Sequence, residues 1–388
     1  MFSFLIVIIY IAFISLGLPD SITGSAWPVM HGELGVPLSY VGIVTMIIAG
    51  CTIISGLTSD WLTRKLGAGL VTAISVAMTA VALFGFSVTE SFLPLCFWAI
   101  PYGLGAGAVD AALNNYVALH YASRHMSWLH CFWGVGAATG PYIMSYALTS
   151  GAGWNNGYRI ISVIQIVLTA VLFASLPMWK KRIAENENGE EVKSKGIIGS
   201  LKIKGVPLVL VMFFGYCALE ATAGIWASSY LVEYKGTDAE TAARFASLFY
   251  IGITVGRFVC GFVADKIGDK NLIRIGLAVI AAGLVMIMLP VKINGVALVG
   301  LIVVGIGCAP IYPSVIHATP TNFGKENSQA IIGIQMASAY VGTTFMPPLF
   351  GVIAEKINIG LYPFYMAVFA VLMVVCSEML NKKVSERN

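Results

Sequence analysis

Charge is what this sequence has least of. Only 11% of its 388 residues are Asp, Glu, Lys or Arg, against about 25% in soluble globular domains. So few charges cannot cover a water-soluble surface. No HExxH, GxSxG or phosphate-loop motif occurs, which argues against a membrane enzyme. No cofactor and no metal are expected. The seven cysteines (Cys51, Cys96, Cys131, Cys217, Cys260, Cys308 and Cys376) form no CxxC pair and all lie in apolar segments. They read as small buried hydrophobes. The net charge of +4 is spread over loops and does not suggest nucleic acid.

What is present is long apolar runs. Residues 2–18, 68–86, 160–178, 272–290 and 361–376 are nearly free of charge, over about the length that crosses a bilayer. Lipid offers backbone groups no hydrogen-bond partner, so such runs read as membrane helices. The run from Phe2 has no basic leader and no small-residue cleavage site, and reads as the first span rather than a removed signal. Turn signals and charges predict twelve spans, near 4–31, 37–60, 67–87, 92–122, 126–150, 157–178, 206–233, 240–264, 271–290, 294–319, 326–351 and 358–380. The one long polar stretch, Lys180 to Lys204, carries KKR and ENENGEE and reads as a flexible linker. The expected domains are a six-helix half (1–179), a cytoplasmic linker (180–205), a second six-helix half (206–381) and a cytoplasmic tail (382–388). Starting the chain inside puts 17 of its 23 Lys and Arg in cytoplasmic segments, as the positive-inside rule requires. The expected location is the inner cell membrane, with both termini cytoplasmic.

The halves also look alike. GLTSDWLTRK (56–65) and GFVADKIGDK (261–270) each follow a second apolar span, 205 residues apart. His130 aligns with Gln335 at the same offset. GLGAGAVD (103–110) and VGIGCAPIY (304–312) share a small-residue-rich entry. Asp20 and Trp27 have counterparts in Glu220 and Trp226. Two parallel six-helix repeats with a substrate site between them are a known carrier architecture.

The two loop segments resemble the loop motif of the major facilitator superfamily, although Thr63 stands where the motif usually has glycine. That resemblance implies an all-α membrane protein of twelve transmembrane helices in two pseudo-symmetric halves. In the family the motif carboxylate latches one conformation, so Asp60, Arg64, Arg257 and Asp265 are expected gate residues. A carboxylate at a helix end also caps N–H groups and pairs with nearby bases; ordinary charge anchoring at the membrane face remains the alternative. LGLPDSITGSAWP (16–28), GAGAVDAALNNYVA (105–118), LHCFWGVGAATGP (129–141), GYCALEATAGIWASSYL (215–231) and APIYPS (309–314) resemble the fucose:proton symporter group, which includes bacterial glucose/mannose permeases. By that resemblance the sugar-binding and proton-coupling carboxylates map to Asp20 and Asp110. Trp133 stands near where the fucose permease has a polar amide, which argues against fucose itself.

Asp20, Asp110 and Glu220 lie inside spans. A charged carboxylate at a helix centre costs at least ~2.5 kcal/mol on insertion scales. Each must therefore face a water-filled cavity or carry a proton, and a carboxylate kept from water takes up a proton more readily. Asp20 or Asp110 is expected to carry the coupled proton, and Glu220 to bind substrate. Structural roles stay open: Asp20 follows Pro19 and fits a turn, and Asp110 and Glu220 fit hydrogen bonds between helices.

The expected substrate-binding residues are Asp20, Trp27, Asn114, His130, Trp133, Glu220, Trp226, Tyr312 and Gln335, with Tyr250 a further candidate. Amides and carboxylates satisfy hydroxyl groups, and an indole or phenol ring covers a C–H face. The mixture suits a sugar or similar small polar solute. Trp27 equally fits a membrane interface, and His130 a packing role. The expected function is proton-coupled symport by alternating access, with sodium open as the coupling ion and the chain acting as a monomer in the bilayer. GVGAATGP (134–141) resembles part of a drug:proton antiporter motif without its trailing glycine pair. The alternative is therefore a proton-coupled antiporter exporting a drug-like or metabolite substrate. A non-transporting receptor also stays open.

Overall fold

The computed structural model describes residues 4–179, 195–289 and 294–386. Among these almost every residue is helical and no strand occurs. Ten stretches are long and apolar enough to cross a bilayer. One of them, Lys325–Ser385, holds two helices of membrane length. Ser123–Thr149 is equally long but richer in polar residues. Ten, plus one, plus one makes the expected twelve. They are α1 (Phe4–Glu33, broken at Ser21), α2 (Val41–Leu66), α3 (Ala68–Ser87), α4 (Phe92–His120), α5 (Ser123–Thr149) and α6 (Gly153–Ser175). Then come α7 (Val206–Glu233), α8 (Ala239–Ile267), α9 (Asp269–Met288), α10 (Asn294–Cys308, continued by Ile311–His317), α11 (Lys325–Ile353) and α12 (Tyr362–Ser385). Residues 180–194 of the expected linker lie outside the described residues; its later part forms a short helix, Gly196–Leu201.

The chain forms two compact units. The first runs through Tyr116 and resumes at Leu129; the second takes Val117–Trp128 together with the chain from Lys195. The α4–α5 turn, placed in the first half on sequence, thus groups with the second unit.

Each unit is packed by the same device. In lipid, helices gain little from hydrophobic burial and need small residues for close van der Waals contact. A Cβ at Gly107 on α4 would overlap the Thr52 carbonyl of α2; a Cβ at Gly305 on α10 would overlap the Phe249 carbonyl of α8. Helix pairs recur as well: α3 packs on α6 in the first unit and α9 on α12 in the second. The α2–α3 and α8–α9 turns end on glycines of one conformation, Gly67 (φ 81, ψ 153) and Gly268 (φ 77, ψ 152). Only glycine enters that region without strain. Gly67 lies seven residues after Asp60, whereas Gly268 lies three after Asp265. Helix α2 therefore runs four residues, about one turn, further past its motif aspartate, and Thr63 is helical where the second copy already turns.

Candidate functional site

Proline positions the first cluster. Pro19 has no N–H and leaves the Ser15 carbonyl without its helical donor. Gln165 Nε2, from α6, donates to that carbonyl at 2.9 Å. Pro141 on α5 frees the Ala137 carbonyl in the same way, and Ser21 Oγ, at the break in α1, donates to it at 2.6 Å. Asp20 sits between the freed Ser15 carbonyl and the break. Tyr102 Oη of α4 donates to its Oδ1 at 3.1 Å, and Trp133 Nε1 of α5 to its Oδ2 at 3.0 Å. Asp20 is nonetheless exposed. An accessible carboxylate held by two neutral donors is poised to accept from a ligand as well.

Asp110 heads a second chain in the same unit. Asn114 Nδ2 donates to Asp110 Oδ1 at 2.8 Å, and Asn114 Oδ1 meets His130 Nε2 at 3.0 Å. The amide orientation follows from the carboxylate, so His130 donates from Nε2 in this arrangement. Asn114 and His130 are buried, and Asp110 is half-buried. Among the described residues no lysine or arginine pairs with Asp20 or Asp110.

The second unit treats its acid differently. Arg257 Nη2 of α8 lies 3.8 Å from Glu220 Oε2 and 3.3 Å from Tyr216 Oη, both on α7. The Arg257 side chain is only 4% exposed, and that of Glu220 19%. Tyr312 packs against Phe213 and Tyr216, with ring centroids 4.6 and 5.9 Å away, and its Oη meets Met336 Sδ at 3.1 Å. A buried charge persists when a partner compensates it.

Arg257, one of the expected gate residues, is set by the tertiary fold against Glu220. Asp265 takes Arg124, at 3.3 Å, and accepts from the Arg124 backbone N–H at 3.1 Å. Asp60 and Arg64 pair at 2.8 Å within α2. Trp27 is buried in an apolar cluster and spends its indole N–H on the Leu38 carbonyl at 2.7 Å. Trp226 donates to the Pro347 carbonyl at 2.9 Å and packs on Phe350. Gln335 is fully buried and accepts from Thr319 Oγ1 at 3.2 Å. Tyr250 of α8 is exposed. Sequence reasoning missed Tyr102 and Tyr216. Tyr216 stands four residues before Glu220, a spacing that places both on one helix face. Nothing local marks Tyr102.

A membrane chain of two six-helix units with matching packing has the build of a secondary carrier. The sequence profile of the Major Facilitator Superfamily matches residues 9–291 and 208–385, and the chain belongs to that superfamily. It is a multi-pass membrane transporter and not an enzyme. The uncharacterized transporter y4wD of Sinorhizobium fredii is 24% identical over 373 residues, covering 92% of each chain. The glucose/mannose transporter GlcP of Bacillus subtilis is 21% identical over 311 residues, covering 76% of each. Among solved structures, the E. coli fucose:proton symporter FucP in its outward conformation matches with a TM-score of 0.80 at 13% identity, over 97% of this chain and 98% of that one. That likeness is one of fold.

Proposed function

We propose that this transporter carries a sugar or similar small polar solute together with protons, by alternating access, as a monomer in the inner membrane with both termini cytoplasmic. The observation that carries the reading is the unequal treatment of the acids. Asp20 and Asp110 accept only from neutral donors, whereas Glu220 is compensated by Arg257. An acid without a counter-ion inside a membrane helix is costly while charged, so its charge follows the proton supply. In this reading Asp110 takes the coupled proton, with Asn114 and His130 holding it in place. Asp20 accepts from solute hydroxyls beside the Trp133 ring, which covers a C–H face. Glu220 and Arg257 offer an acceptor next to donors, a pairing suited to neighbouring hydroxyls. Sugar carriage by GlcP and FucP supports the reading.

The test is uptake of labelled hexoses and pentoses into proteoliposomes under an imposed proton gradient. Accumulation above the equilibrium level, abolished by a protonophore and indifferent to sodium, is expected. Carriage of drug-like cations or organic anions alone overturns the sugar assignment, and accumulation driven only by sodium overturns the proton.

A further inference from the structure

We propose that His317 is the titratable pin of a clamp that fastens the α4–α5 turn within the second unit, and that the clamp tightens when His317 is protonated. His317 ends the continuation of α10. Its Nδ1 lies 2.6 Å from Asp269 Oδ2, and its Nε2 lies 3.2 Å from the backbone carbonyl of Tyr121. Both partners are acceptors. A neutral imidazole has one N–H and satisfies one of them; the imidazolium satisfies both. Asp269 is tied to the turn a second time, because its Oδ1 accepts from Ser123 Oγ at 2.5 Å. The pair is mostly enclosed, with side chains 19% and 17% exposed, which limits screening by salt.

The surrounding charges set the direction. Asp269 of α9 and Asp265 of α8 act on His317, and Arg124 and His125 of the turn lie against Asp265. Both carboxylates favour the protonated imidazole, and Asp269 is the one it contacts. His125 of the turn packs edge-on against the rings of Tyr121 and Trp128. Two further grips on the turn are the Arg124–Asp265 pair and the Trp128 indole N–H on the Phe258 carbonyl, at 3.2 Å. Neither supplies a group that ordinarily titrates near neutrality. The repeat explains why both carboxylates are available. In the first copy of the loop motif Asp60 has Arg64 on its own helix, four residues on. At the matching place (64 + 205) the second copy has an acid, Asp269. Asp265 and Asp269 thus find their partners on other elements. A transport cycle that parts this turn from α8 and α9 has to break the clamp; that consequence rests on the alternating-access reading, while the clamp itself does not.

Hydrogen exchange of the peptide covering 117–128 tests it on the purified full chain without any substrate, so the outcome is independent of what the protein carries. After correction for intrinsic chemical exchange, wild-type protection is expected to fall roughly tenfold as pH rises between about 5 and 8, the worth of one hydrogen bond to a charged group. His317→Gln should be less protected at acid pH and flat across the range. Ser123→Ala should lower protection at every pH while keeping the slope, which shows that a weakened but folded clamp still titrates. A flat wild-type profile overturns the proposal, as does a His317→Gln profile with the wild-type slope. If His317→Gln melts below the wild type, Asp269→Asn decides: unchanged protection at acid pH overturns the proposal, and a reduced, flattened profile supports it.

Discussion

The two units share a hydrogen bond and differ in what stands beside it. In the first, His130 meets Asn114, sixteen residues earlier; in the second, Gln335 meets Thr319, again sixteen earlier. Both members shift by 205 residues (335 − 130 and 319 − 114). One turn before Asn114 is Asp110; one turn before Thr319 is Val315. The reverse holds on the second helix of each unit. Arg257 has Thr52 at the matching place (257 − 205), a buried residue whose hydroxyl donates to the Gly103 carbonyl at 3.1 Å. The repeat conserves interhelical geometry and distributes charge unevenly. Among the described residues, the span acids Asp20 and Asp110 of the first unit have no cation beside them, and Glu220 of the second has one. A carboxylate lacking a cation has to be neutral or wet in a membrane, whereas one beside a guanidinium has its charge offset. Coupling and solute orientation can therefore be divided between two copies of one scaffold.

The sharpest way to break this comparison is to neutralise the acid that has no counterpart. Asp110→Asn is expected to reduce proton-driven accumulation to the equilibrium level while leaving counterflow exchange intact, both measured in proteoliposomes. Wild-type accumulation should also decline as external pH rises, because the proton supply falls; a pH-independent plateau would contradict the role of Asp110. Next in size is Arg257→Gln, which strands Glu220 in the interior. A loss of about 3–5 kcal/mol is expected for removing one partner of a buried pair, read from denaturant unfolding of the purified protein. The double variant with Glu220→Gln should lose clearly less; equal losses would mean that the 3.8 Å contact does not compensate charge.

A smaller effect tests the shared scaffold. Gly107→Ala and Gly305→Ala each push a methyl group into a neighbouring backbone carbonyl. Each should cost about 1–3 kcal/mol, the usual range for overpacking. The two costs should match, and a large inequality would show that the copies are not packed alike. The smallest change is Trp133→Phe, which keeps a ring but removes the donor to Asp20. Solute affinity should weaken about tenfold, the worth of one hydrogen bond to a charged group, with turnover little changed. An unaltered affinity in equilibrium binding would place Asp20 outside the solute site.

Much of the fold is legible in the sequence. The spans were predicted close to where they lie, because membrane insertion depends on the summed hydropathy of neighbouring residues, which is a local property. The sequence marks Asp110, Asn114 and His130 as candidates but not their connection, since it bridges α4 and α5. The expected solute residues Trp27 and Gln335 have partners that the sequence does not name: the indole N–H of Trp27 donates to the Leu38 carbonyl, and Gln335 Oε1 accepts from Thr319. A polar side chain in an apolar run announces that it needs a partner and says nothing about which one. Thr63 looked like a defect in the loop motif, yet Gly67 supplies the same turn one helical turn later.

Apolar runs, turn signals and the paired loop motifs 205 residues apart by themselves determined a twelve-helix, two-unit membrane transporter with three acids inside its spans. Only the tertiary structure decided that Glu220 has a cation while Asp20 and Asp110, among the described residues, do not. The reason is range. Whether a segment enters a bilayer is settled by about twenty consecutive residues. Whether a carboxylate is compensated is settled within about 4 Å, by a guanidinium that the chain places 37 residues away (257 − 220) on another helix.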